Sequence, residues 1–202
     1  MKELLVLLSF IFTIPVIGQV NFAYEPYPLQ DFELLEDSLG SEKLGFVEVR
    51  VSENYFPTAK SGKFYYPLTY KRLNDDFYPT LQVQYFYNET DSTMLSTSYD
   101  WNMMDYVKNL KTGKKELKKQ TKREKDYLAK YNAIKSELIG ALGQPKYISE
   151  EETNAGHFYK LEWETEQNKV LLLFKFSKSL GTLPGGMVFG SFNIRVKVDY
   201  IN

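Results

Sequence analysis

Residues 192–200 alternate without a break. Phe192, Ile194, Val196, Val198 and Tyr200 take every second position, with Asn193, Arg195, Lys197 and Asp199 between them. A period of two fits an extended strand with one face on a core and the other turned away from it. The pattern recurs in Leu81–Tyr87, where Leu81, Val83, Tyr85 and Tyr87 are in phase, and in Phe158–Glu164, where Tyr159, Leu161 and Trp163 are. Phe46–Val51 alternates too, with Val47, Val49 and Val51 on one side. Phe64–Arg72 and Met94–Trp101 read as aromatic strands. Val170–Phe176 is apolar in both phases, which predicts a central strand. This much alternation calls for an antiparallel sheet.

Two segments carry the helical period instead. Leu29, Phe32, Leu35 and Leu39 recur at three- and four-residue spacing, and Gly40 supplies the stop. The second is longer. Leu117, Gln120, Glu124, Tyr127, Tyr131, Ile134, Leu138 and Ala141 form one stripe, ended by Gly143 and Pro145. Asp100 or Asn102 could cap an early start, although Gly113 weakens the first turns. The stripe is polar early and apolar late. Residues 127–142 are therefore expected on the sheet and 111–125 in solvent. The predicted fold class is α+β: an antiparallel sheet of about six or seven strands packed on one long and one short helix. The halves 27–101 and 114–202 share a helix followed by aromatic strands, so a duplicated α-β-β-β unit is a further expectation.

The first residues read as a secretory signal. Lys2 precedes an apolar run, Leu4–Ile17, broken only by Ser9, Thr13 and Pro15. At about 14 residues the run is short of the roughly 20 a spanning helix needs. Val16-Ile17-Gly18 places small or β-branched residues ahead of a cut between Gly18 and Gln19. The expectation is a bacterial signal peptide over 1–18 and a single exported domain over 19–202. Its place would be the periplasm or the extracellular space, with no stable membrane span once the signal is removed. N-terminal sequencing of the exported protein should begin at Gln19, and recovery of Met1 from an envelope fraction would contradict the reading. The chain has no cysteine. That excludes disulfides, thiol catalysis, thiolate metal sites and a lipid-anchored cysteine.

Charge is segregated. Residues 19–105 hold 6 basic and 14 acidic side chains, and residues 106–146 hold 12 basic and 4 acidic. The basic element centres on Lys115, Lys119, Lys122 and Arg123. These nominate an anionic partner, either an envelope polymer or an acidic protein surface. Nucleic acid is not predicted: lysine outnumbers arginine, aromatics are not interleaved, and the chain is exported. A solvated helix face is the plainer reading of the same run.

Little else carries chemistry. His157 is the only histidine and follows Glu150, Glu151 and Glu152, a weak suggestion of a divalent-ion site against a plainer exposed histidine at a strand start. Glu36, Asp37, Asp75 and Asp76 read as helix-surface and turn charges. Gly190-Ser191-Phe192-Asn193 lacks the second glycine of a nucleophile elbow. The glycine-rich stretch 181–190 lacks the Gly-Lys-Ser/Thr ending of a phosphate loop and precedes a strand. No catalytic residue, metal or cofactor is predicted. The expected role is an exported non-catalytic binding or interaction module. The alternatives are a small envelope hydrolase using carboxylates and a structural accessory of an outer-membrane or secretion assembly.

Overall fold

The computed structural model describes residues 20–46, 48–50, 64–73, 76–107, 110–182 and 188–201. The signal segment 1–18, the cut at Gly18–Gln19, Val47, Val51, Asp75 and the centre of the glycine-rich stretch lie outside them. Among the described residues there are three helices: α1 (Leu29–Ser38), α2 (Leu110–Thr121) and α3 (Glu124–Leu142). None is long and apolar enough to cross a membrane.

The strands are β1 (Glu42–Phe46), β2 (Val49–Arg50), β3 (Phe64–Tyr65), β4 (Leu68–Arg72), β5 (Leu81–Tyr87), β6 (Met94–Val107), β7 (Tyr147–Thr153), β8 (Gly156–Glu164), β9 (Asn168–Ser177), β10 (Gly181–Thr182) and β11 (Val188–Tyr200). Eight of them form one antiparallel path, β1-β4-β5-β6-β11-β9-β8-β7. β10 adds to β11, and β2 and β3 pair apart. The class is α+β with an antiparallel sheet, as the alternation required. The sheet is wider than six or seven strands, and its long helical segment is two helices.

Both halves follow one plan. From one edge the order is β1-β4-β5-β6 after α1, and from the other it is β7-β8-β9-β11 after α3. β6 and β11 meet antiparallel at the centre, with Trp101 opposite Ile194. Each helix sets an aromatic ring on its third strand. The Phe32 ring lies 4.6 Å from Tyr85 and the Tyr131 ring 5.1 Å from Phe174. Each ends at a glycine with positive φ, +64° at Gly40 and +78° at Gly143, a conformation costly for residues with a Cβ. The core lies between these helices and the sheet face carrying Tyr85, Tyr99, Trp101, Phe174, Ile194 and Val196.

Three expectations change. Residues 102–107 continue β6 instead of capping a helix, because Asn102–Val107 keep pairing with Val188–Asn193. The glutamates at 150–152, part of no expected strand, lie in β7 with β8 as their partner. Glu36 is wholly buried instead of lying on the surface, since Arg72 of β4 reaches it.

Candidate functional site

The face of the sheet away from α1 and α3 is made from the positions between the apolar ones. Strand register sets them in rows. Tyr147, Glu162, Leu171 and Lys197 stand side by side across β7, β8, β9 and β11. Glu164, Lys169 and Asp199 form the next row. Together with Lys146 and Lys160 they line a groove of about 460 Å³.

Each of the groove's three carboxylates is paired with at least one of its four lysines. Glu164 accepts from Lys146 and lies 3.3 Å from Lys169. Both ammonium groups, Lys146 first, hold its carboxyl below the usual range. Glu162 lies 2.6 Å from Lys160. Lys197 is 2% exposed, and its Nζ lies 2.7 Å from Asp199. Burial pushes the Lys197 ammonium below the usual lysine range and the Asp199 carboxyl upward, and the ion pair opposes both shifts. The groove's apolar lining includes Leu171 and the Tyr147 ring, which is 49% exposed with the Lys160 ammonium 5.6 Å from its centroid. Deeper along the β6–β11 seam, Asp100 accepts from Asn193 at 2.6 Å and from Arg195 Nε at 2.8 Å.

His157 sits on the opposite face, against α3. It stands at the start of β8, as expected, but is buried instead of exposed. Its Nε2 lies 2.6 Å from Glu124 and its Nδ1 3.1 Å from the Tyr159 hydroxyl. Glu152 is 3.6 Å from Nδ1, while Glu150 turns to Lys135 at 2.5 Å. Lys178 lies 2.9 Å from Glu124. His157, and then Lys178, hold the Glu124 carboxyl below its usual range. Among the described residues no group of three or more His, Asp or Glu is arranged to hold a metal ion. The cluster fastens the first turn of α3 to β8 and to the turn after β9. His157→Ala is therefore expected to destabilise the fold by about 1–3 kcal/mol, through the lost packing of a buried ring and the loss of its bond to the part-exposed Glu124. A thermal or denaturant midpoint equal to wild type would contradict that role.

The basic residues separate. Lys115, Lys119 and Lys122 are exposed along α2 and the turn after it, while Leu117 and Gln120 face inward. Arg123 turns toward the body of the protein. Its guanidinium lies 5.3–5.6 Å from the rings of Phe77, Tyr78 and Tyr127, and it donates to the Tyr78 carbonyl at 2.5 Å. The four nominated cations thus do not share one surface.

Glu137 on α3 is a half-buried carboxyl pushed up to about 7 by burial, with the Lys130 ammonium opposing the shift. The folded protein holds this proton where an unfolded chain has released it. Stability from this group is present below about pH 4.5 and falls as pH rises toward 7. Glu137→Gln should then equal wild type at pH 4 and exceed it at pH 8. Solvent screening limits the gain to about 1 kcal/mol. Identical pH profiles of thermal midpoint for the two proteins would disprove the assignment.

No family model, curated protein or solved structure matches the chain.

The groove was not among the sequence candidates. Its signal lay in the polar phase of the alternating strands, Lys160-x-Glu162-x-Glu164 and Lys197-x-Asp199. Only the register brings those phases together.

Proposed function

We propose that this protein is an exported, non-catalytic binding module of the bacterial envelope, acting in the periplasm or outside the cell, and that its ligand occupies the groove over β7, β8, β9 and β11. One observation carries the reading: the groove is concave and partly apolar, and each of its three carboxylates lies beside a lysine. Glu164, whose carboxyl two ammonium groups hold below the usual range, is a poor general acid. This favours binding over the alternative of a small hydrolase using paired carboxylates. Lys115, Lys119 and Lys122 would add diffuse, salt-sensitive attraction to an anionic envelope polymer or an acidic protein surface. The matching strand orders of the two halves support descent from a duplicated α-β-β-β unit.

Amine acylation read by mass spectrometry tests the reading. The protein is incubated with cell-wall polymer, lipopolysaccharide and membrane lipid in turn. Protection of Lys146, Lys160 and Lys169 with no change in the polymer is the expected result. Cleavage products would overturn the non-catalytic reading. Protection confined to Lys115, Lys119 and Lys122 would move the site to α2.

A further inference from the structure

We infer that the groove is a saccharide site that takes a neutral pyranose unit on the Tyr147 ring. This rests on the binding reading above and assigns its ligand class.

Four lysines and three carboxylates surround the groove, and each carboxylate has an ammonium within 3.3 Å. At the buried Lys197–Asp199 pair an ionic ligand would have to displace one member and leave the other uncompensated, which is costly. A wholly apolar ligand would strip water from the charged rim without replacing its hydrogen bonds. A polyol does neither. Each hydroxyl is both a donor and an acceptor, so it can give its proton to a carboxylate oxygen and accept from the neighbouring ammonium while the ion pair stays whole. In the row Glu164–Lys169–Asp199 an ammonium stands between two carboxylates at strand spacing, and in the row beside it Leu171 stands between Glu162 and Lys197.

The apolar part fits the same ligand. A pyranose ring carries C–H bonds on its faces and hydroxyls around its rim. Tyr147 offers a flat ring at the groove wall, and Leu171 lies one strand beyond Glu162 in the same row. An aromatic plate beside alternating donors and acceptors is the complement of a sugar's amphipathic faces. The volume of about 460 Å³ suits one or two sugar units.

The test is calorimetric titration of the whole exported protein with cellotriose, maltotriose, triacetylchitotriose and the anionic trigalacturonate. At least one neutral trisaccharide is expected to bind, and more tightly than trigalacturonate. Tyr147→Ala should weaken that binding about tenfold or more, whereas Tyr147→Phe, which keeps the plate, should stay within about twofold. Glu164→Gln leaves Lys146 and Lys169 without their carboxylate and should shift preference toward trigalacturonate. Tyr147 and Glu164 are surface side chains, and an unchanged circular dichroism spectrum in each variant confirms the fold. No binding of any neutral trisaccharide at millimolar concentration would overturn the assignment, as would binding indifferent to Tyr147→Ala. Lysine protection by envelope material without saccharide binding would overturn the ligand class while leaving the binding module standing. Hydrolysis of the trisaccharides would overturn the non-catalytic reading.

Discussion

Truncating Phe174 to alanine is expected to cost about 3–5 kcal/mol, a large part of the stability of a domain this size. The side chain is 0% exposed in β9. Its ring lies 5.1 Å from Tyr131 on α3 and 5.4 Å from Tyr159 on β8, with His157 stacked at 6.1 Å. Removing it opens a cavity where helix and sheet meet, and the neighbouring rings are too rigid to fill it. Leu172→Ala, also at 0% exposure two residues earlier, should cost about 2–5 kcal/mol for the same reason. Denaturant titration measures both, and a loss under about 1 kcal/mol for either would mean the site is not a packed core.

Breaking the buried pair beneath α1 is expected to cost about as much, roughly 3–5 kcal/mol, by a different route. Glu36 accepts from Arg72 Nη2 at 2.6 Å and from Nε at 3.1 Å to each oxygen. Tyr85 and Ser41 each donate to it at 2.5 Å. Arg72→Met leaves a carboxylate out of water without its cation, and Glu36→Leu leaves a guanidinium in the same position. Each single change should be severe. The double change should recover much of the loss, because no charge is then left unpaired. Equal destabilisation by the double variant and the sum of the singles would show that the pair does not act as a unit.

The amphipathic elements were legible because their periods report local geometry. Tyr127, Tyr131, Ile134 and Leu138 are the buried stripe of α3, as their spacing required. Val83, Leu161, Trp163, Ile194, Val196 and Val198 likewise face the core from their strands. The errors lay where a local pattern had a second solution. Asn102–Val107 lack a strong strand signal, yet pairing to β11 extends β6 through them. Glu150–Glu152 look like a loop by composition, but β8 supplies a hydrogen-bonding partner for the backbone and leaves the charges exposed. β-propensity is largely a statement about such partners.

The candidate site shows the same division more sharply. His157 was singled out because it is the only histidine, and its reading as an exposed side chain failed because Glu124 approaches from a helix thirty-three residues earlier. Arg123 counted as one cation in a run, but the aromatic side chains of Phe77 and Tyr78 lie against it from another part of the chain. Groove residues Tyr147, Glu162, Leu171 and Lys197 come from four strands, and nothing local marks them as neighbours.

The sequence by itself determined the type and core face of the segments Leu81–Tyr87, Phe158–Glu164, Phe192–Tyr200 and Tyr127–Leu142 and the glycine stops of α1 and α3, since these depend on side-chain period and backbone sterics within a few residues. The alternating run expected over Phe46–Val51 is instead divided, with Phe46 ending β1 and Val49–Arg50 forming β2 in a separate sheet. The tertiary structure alone decided the strand order, the placement of β11 between β6 and β9, the burial of Glu36 and His157, and the meeting of the groove's charges. Those depend on which distant strands share hydrogen bonds. Register is fixed only when the apolar faces of the whole sheet are buried together, and a one-residue slip would turn every groove side chain to the other face.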